Sequence, residues 1–204
     1  EVDVRREMKS WGAYDFIAAI SEDAKTAFVH RFPALAGKML VIENVLSVNF
    51  VREQSRLEPP VLDGETKLLT VGRFCYTKAL DHAVRSCAQL VGSGLPVKWY
   101  AVGYGDEQTV RDAILECSME EHFIILGKKS NPYPYIAACD IYVQPSRYEG
   151  KAVTVREAQV LGKPVAITAF NTSASQLKDG FDGVIVPMDV EGAARGIRSL
   201  IEDE

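Results

Sequence analysis

Residues 141–161 read Ile-Tyr-Val-Gln-Pro-Ser-Arg-Tyr-Glu-Gly-Lys-Ala-Val-Thr-Val-Arg-Glu-Ala-Gln-Val-Leu. Ile141 to Gln144 is an apolar run of strand length, and Pro145 to Lys151 is a polar turn around Gly150. From near Thr154 the apolar residues Val155, Ala158, Val160 and Leu161 follow in a helical pattern. Strand, glycine turn and helix start in that order make one arm of a βαβ unit. The same alternation continues on both sides. Strands are expected at 67–73, 97–103 and 123–127 before this segment, at 164–169 and 183–187 after it, and at 15–20 and 38–45 near the start. Several are Val/Ile/Leu runs, as strands buried on both faces should be. Between them, 79–91 places Leu80, Ala83, Val84, Cys87, Leu90 and Val91 on one helical stripe, and 110–117 does the same with Val110, Ile114 and Cys117. A last helix is expected at about 191–201, and Ser21 and Asp106 precede acidic first turns as N-caps. The fold class is therefore α/β: an open parallel sheet with helices on both faces.

One stretch breaks the alternation. From Arg52 to Glu65, charges, Pro59-Pro60 and Asp63-Gly64 replace periodic apolar residues, which marks a boundary between ranges 1–58 and 59–204. Residues 1–45 offer a helix, a strand, a helix and a strand, too little to close a core alone. At 204 residues and 47% hydrophobic, the chain can bury a substantial core. Its 23 basic and 28 acidic side chains give a net charge of -5, so no electrostatic ground exists for nonspecific binding to nucleic acid or anionic membrane. Cys75, Cys87, Cys117 and Cys139 lack Cys-x-x-Cys spacing and fall in apolar periodic segments, so they read as reduced core residues of a cytosolic protein. No apolar run is long enough to span a bilayer. The start, Glu1-Val2-Asp3-Val4-Arg5, lacks both an initiator Met and the pattern of a signal peptide, and reads as that of a fragment.

The familiar nucleotide motifs fail on their spacing. Gly103-Tyr104-Gly105 follows a strand and precedes a helix, but Gln108 stands where the third glycine of a dinucleotide turn belongs. Gly127-Lys128 and Gly150-Lys151 lack the earlier glycine and the following Ser or Thr of a phosphate-cradling Walker loop. No metal-ligand run and no serine-hydrolase elbow is present.

Two constellations remain. In the first, Gly150 permits close backbone approach at a helix N-terminus, where free N–H groups and a partial positive charge suit phosphate. Glu149 just outside that helix suits sugar hydroxyl donors, and Glu157 in its first turn suits a ribose diol, because a carboxylate only accepts. Each has a plainer reading: Thr154-x-x-Glu157 is also a capping box, and Glu149, Arg147 and Lys151 also read as solvated charges. In the second, the strand at 67–73 runs into Gly72-Arg73-Phe74 with Lys78 soon after. A planar guanidinium and a mobile ammonium at one strand end make a diphosphate clamp, or else an ordinary surface pair.

Taken together, several motifs resemble the retaining glycosyltransferases of the GT-B class, group 1 (family 4), bacterial surface-polysaccharide type. They are Val71-Gly72-Arg73-Phe74 with Lys78, Val102-Gly103-Tyr104-Gly105, residues 123–127, Ala138 to Ser146, and Glu149-Gly150 with seven residues between Glu149 and Glu157. Gly162-Lys163-Pro164-Val165-Ala166 and Asp179 to Pro187 continue the match, which covers roughly residues 67–200. The resemblance implies two Rossmann-like domains facing across a cleft, the C-terminal one binding a nucleotide-sugar donor. This chain would supply that domain at 59–204 and, at 1–58, the tail of the N-terminal acceptor domain with the crossing. By the same resemblance, Arg73 and Lys78 beside Gly72 and Gly103 hold the diphosphate, with main chain of Gly150, Lys151, Ala152 and Val153 on phosphate. Glu149 faces the transferred sugar, Glu157 takes the ribose, and the base lies at Leu126 and Gly127. Catalysis would fall to Glu149, Arg73 and Lys78, with Arg73, Lys78 and the helix N–H groups stabilising the departing diphosphate in place of a metal, and with no cofactor beyond the UDP- or GDP-linked donor itself.

The expected full-length enzyme is a cytoplasmic hexosyltransferase acting with retention on a sugar or lipid-linked acceptor bound by the N-terminal domain. Peripheral association with the inner face of the membrane stays open, and the fragment alone is expected to be inactive. Two readings stay beside it: a sugar-nucleotide epimerase on the same fold, and a noncatalytic nucleotide- or partner-binding module. Lys151 stands where the family often has an aromatic residue, and Ser173-Ala174-Ser175-Gln176 where it usually has glycine and glutamate, which touches the sugar pocket more than the fold. Asn131 to Tyr135 either lines the nucleotide pocket or packs a loop.

Overall fold

The computed structural model describes residues 4–202; Glu1 to Asp3 and Asp203 to Glu204, at the outer ends of the two sequence-based ranges, lie outside the described residues. The chain divides into two compact units, the first ending at Val45 and the second beginning at Leu46. That division precedes the boundary expected between 58 and 59, and the reason is a helix, α3 (Val48–Gln54), which packs on α6 (Tyr133–Ala138) and α7 (Val153–Val160) of the second unit. The Asn131 Nδ2 group donates to the Gln54 carbonyl at 2.9 Å, and Phe50 meets Tyr133 edge to face at 6.1 Å.

In the first unit, α1 (Val4–Gly12) and α2 (Glu22–Arg31) accompany a parallel pair, β1 (Ile17–Ala19) and β2 (Met39–Val41). Ser21 caps α2, its side chain accepting from the Ala24 N–H as expected. Ile17, Ala19, Phe32, Leu35 and Met39 form its small core, flanked by Trp11 edge to face on Phe28 at 5.4 Å.

The second unit is a six-stranded parallel sheet in the order β5-β4-β3-β6-β7-β8. Its strands are β3 (Thr66–Phe74), β4 (Val97–Gly105), β5 (Phe123–Gly127), β6 (Ile141–Gln144), β7 (Val165–Thr168) and β8 (Val184–Val186). Each lies where the apolar runs placed it. Because successive side chains on a strand point to opposite faces, Leu68 and Trp99 enter one core while Leu69 and Tyr100 enter the other. The first core is covered by α4 (Leu80–Gly92), α5 (Glu107–Cys117) and α8 (Val190–Glu202), the second by α6 and α7. Asp106 caps α5 through the Thr109 N–H. Among the described residues no helix is long and apolar enough to cross a membrane.

All four cysteines are free. Cys87 and Cys139 are buried, and burial pushes both thiols up to about 12. Cys75 and Cys117 depart from the expected core role, being half-buried at the ends of β3 and α5. A strand end and a helix end face the rim of a core, where apolar periodicity no longer guarantees full burial.

Strand order reverses between β3 and β6, since the chain winds from β3 through β4 to β5 and then returns to β6 beside β3. Backbone pairing of these two strands starts with the Asp140 N–H on the Lys67 carbonyl at 2.8 Å and runs in register through Leu68 with Ile141 and Leu69 with Tyr142. Past that point Thr70 bridges them by its side chain, donating to the Val143 carbonyl at 2.8 Å and accepting from Trp99 Nε1 at 3.0 Å. Side-chain bonds thus take over from the backbone ladder toward the carboxyl ends, and this reversal of strand order is the crevice where open α/β sheets bind ligands.

Candidate functional site

The segments after β3 and after β6 face each other across that crevice. Lys78 ends a short 3-10 turn (Tyr76–Lys78), and its ammonium pairs with Glu149 Oε1 from the β6 side. Both side chains are largely withdrawn from water, at 22% and 10% exposure. Glu149 is thus not a solvated turn residue. Its Oε1 also accepts from Ser146 Oγ at 2.6 Å and from Gln144 Nε2 at 3.1 Å, and its carbonyl accepts from Thr172 Oγ1 at 2.8 Å.

Arg147, open at the sequence level to a solvated reading, instead clamps the two segments together. Its guanidinium forms two parallel bonds to Asp81, at 2.7 and 3.1 Å, donates to the Tyr76 carbonyl at 2.7 Å, and stacks 4.4 Å over the Tyr76 ring. The Arg147 N–H adds a bond to the Thr77 carbonyl at 2.8 Å. Burial pushes the Asp81 carboxyl up, but the Arg147 hydrogen bond and charge outweigh it and hold the group below its ordinary value. A depressed folded value means stability that is present above the unfolded carboxylate value and lost as pH falls through the folded one. Arg147→Met should therefore lower stability at neutral pH by about 1.5–3 kcal/mol. It should also flatten the loss on acidification below the ordinary carboxylate range, as read by thermal melts across pH. An acid profile parallel to the wild type would show that this pair is not what the acid breaks.

Helix α7 starts one residue before Thr154, with Ala152 as N-cap and no side-chain cap. The capping box is therefore not formed. Thr154 lies inside the first turn and donates to Gln144 Oε1 at 3.2 Å, while Glu157 accepts from Tyr133 Oη at 3.1 Å. Glu157 is buried, and burial raises its carboxyl above the usual range despite the opposing Tyr133 bond. Burial next to that carboxylate pushes the Tyr133 phenol up to about 12. The Ala152 N–H, expected on phosphate, is instead committed to Gln176 Oε1 at 3.0 Å.

A cleft of about 300 Å³ lies at the ends of β3 and β4, lined by Val71, Gly72, Arg73, Gly103, Tyr104 and Lys128 among others. Gly72 and Gly103 stand side by side in register on its floor. Arg73 is exposed, and Lys128 lies 5.1 Å over the Tyr104 ring. Gly127 turns with φ at +72°, and Leu126 packs partly into the second core. The structure thus brings Gly72, Arg73 and Gly103 to one cleft and ties Lys78 and Glu149 into one hydrogen-bonded network with Gln144 and Thr154, whereas Glu157 bonds Tyr133. Sequence reasoning passed over Gln144 and Thr172, which hold Glu149, and Lys129, which lines the cleft. A glutamine ending an otherwise apolar strand was the available signal for the first. Of 131–135, Pro132 lines the cleft and Tyr133 starts helix α6.

A family model described as "Glycosyl transferases group 1" matches residues 51–204. The chain is 26% identical over 198 residues to an N-acetylgalactosaminyltransferase of Campylobacter jejuni that acts on an N-acetylgalactosamine-N,N'-diacetylbacillosaminyl-diphospho-undecaprenol, covering 93% of this chain and 52% of that protein. It is 25% identical to the capsular polysaccharide biosynthesis glycosyltransferase CapM of Staphylococcus aureus, covering 92% of this chain and 52% of CapM. The chain thus spans about half the length of these curated relatives. Among solved structures, Anabaena HepE in complex with UDP-glucose superposes with a TM-score of 0.83 at 21% identity, covering 98% of this chain and 58% of HepE.

Proposed function

The chain belongs to the group 1 glycosyl transferases, and from that premise we propose that its second unit binds the nucleoside-diphosphate sugar of an enzyme that passes the glycosyl group to an acceptor. The observation that carries this reading is the crevice between β3 and β6, with Lys78 on one rim and Glu149 on the other, next to the cleft at the ends of β3 and β4 that Arg73 lines. Arg73, Lys78 and the first-turn N–H groups of α7 receive the diphosphate. They stabilise its negative charge as the anomeric bond breaks, so the departing group needs no metal to carry it. The base sits in the cleft by Gly103 and Gly127, the ribose meets Glu157, and the sugar meets Glu149. Retention of anomeric configuration follows if the acceptor attacks from the face the diphosphate leaves. The bacterial polysaccharide relatives favour a surface glycoconjugate as product. On this reading the acceptor is bound outside these residues, and this chain by itself binds donor without transferring.

Thermal melts of the chain with UDP, GDP and their hexose derivatives test the reading. A ligand that binds only the folded state stabilises it by about 2.7 kcal/mol at a hundred times its Kd, so one base series should raise Tm clearly. No shift with any of them at millimolar concentration would overturn the proposal.

A further inference from the structure

The two oxygens of Glu149 are not equivalent. Lys78, Ser146 and Gln144 all donate to Oε1. A carboxylate oxygen has about two lone-pair sites, so Oε1 is saturated. All three of these donors meet Oε1 and none of them Oε2, so Oε2 is the oxygen left for a ligand in the crevice.

Gln144 makes this division. It is fully buried and spends its whole hydrogen-bonding capacity locally. Its Oε1 accepts from Tyr142 Oη at 2.8 Å and Thr154 Oγ1 at 3.2 Å, and its Nε2 donates to Ser146 Oγ at 2.8 Å and Glu149 Oε1 at 3.1 Å. The carboxylate fixes the amide's orientation, because the reverse rotamer would set oxygen against oxygen. On the far side of the loop, Thr172 holds the Glu149 carbonyl, Gln176 holds the Ala152 N–H, and Gln176 Nε2 donates to Thr172 at 3.3 Å. Main chain and carboxylate are thus held independently.

We propose that Gln144 is a positioning residue: with Ser146 it anchors Oε1 and presents Oε2 alone, so that Glu149 accepts from a single hydroxyl of the donor sugar instead of gripping a vicinal pair. This rests on the donor-site reading above. Gln144 is fully buried and acts on the site through its neighbours, Glu149 and Thr154; Ser146 bonds Glu149 and not Thr154, so the Ser146→Ala variant isolates the route that concerns the sugar.

The test compares the chain with its Gln144→Met and Ser146→Ala variants by calorimetry. The probes are UDP and GDP, alone and as their glucose, galactose, N-acetylglucosamine or mannose derivatives. Met keeps the length of Gln without its hydrogen bonds, and Ser146→Ala is the milder change should the first fail to fold. For whichever sugar nucleotide the wild type prefers, its affinity relative to the bare nucleotide should fall roughly 3- to 10-fold in each variant, as loss of one aligned hydrogen bond would give. Affinity for the bare nucleotide should stay within about twofold. In a Glu149→Ala background the Gln144→Met change should leave the ratio where Glu149→Ala put it, since coupled residues are non-additive. Sugar and bare nucleotide weakening in parallel, or full additivity with Glu149→Ala, would overturn the positioning role while leaving the donor site standing. Failure of the wild type to bind any probe would overturn both.

Discussion

Gly103→Ala is expected to destabilise the second unit by about 3 kcal/mol or more, a fall of roughly 6–12 °C in Tm for a domain of this size. Gly103 pairs in register with Gly72 on the neighbouring strand β3. A Cβ built on it would lie 1.8 Å from the Gly72 carbonyl oxygen and 2.9 Å from the Phe74 ring. Backbone cannot yield as the end of a long side chain does, so β3 and β4 must separate where Phe74 closes the first core. Gly127→Ala is the fitting control: no atom lies within 4 Å of its added Cβ, and only its φ of +72° opposes the change, at about 1 kcal/mol. Circular-dichroism melts of the two variants should differ accordingly. Equal losses would mean that the close approach of β3 and β4 is easily relieved. The same contact explains why Gly103-Tyr104-Gly105 looks like a dinucleotide turn without being one. The Cβ that Gly103 forbids, and the one at Gly105 that would lie 2.3 Å from the Phe74 carbonyl oxygen, concern a neighbouring strand and no ligand.

Lys78→Ala is the second large effect. Removing the ammonium takes away a charge proposed for the diphosphate and strips Glu149 of its cation inside a poorly hydrated site. Nucleoside diphosphate affinity should fall roughly 10- to 100-fold, equivalent to about 1.4–2.8 kcal/mol. Lys78→Arg, which keeps the charge but changes its shape, should recover only part of this. Calorimetry with the preferred nucleotide reads both. A stable Lys78→Ala chain that binds nucleotide as tightly as the wild type would make the Lys78–Glu149 pair a structural tie and would move the phosphate site elsewhere.

Much of this architecture was legible in order of sequence. The strands at 123–127 and 141–144 fall on β5 and β6 to the residue, because short apolar runs closed by glycine or Pro-Ser carry their own ends. Ser21 and Asp106 cap as local chemistry requires. What local sequence hid was whatever depends on distant partners. Helix α3 was missed because its helical residues lead straight into the charged run from Arg52, and α6 because Pro132 and Pro134 read as loop punctuation although proline suits a first turn. The capping box at Thr154 is an equally local inference. It fails because Gln176, 24 residues away, holds the Ala152 N–H and the helix begins earlier. Arg147 finds Asp81 across 66 residues of chain, and no pattern within the loop announces it. Arg73, Lys78 and Glu149 were singled out by residue type and place, whereas the pairing of Lys78 with Glu149 needed the fold to bring β3 beside β6.

The sequence holds two tryptophans, and they fall one to each unit. Trp99 on β4 is fully buried in the first core, with its indole N–H on Thr70, whereas Trp11 in α1 is 39% exposed. Their fluorescence therefore carries separate labels: emission from Trp99 reports the sheet that frames the crevice, and the more water-facing Trp11 reports the small first unit. A quencher dissolved in water reaches the second long before the first, so the optical signal sorts itself without any dye or engineered probe. Nucleotide-induced protection can then be assigned to the unit that bears the site, even when the melting of the whole chain blurs the two together.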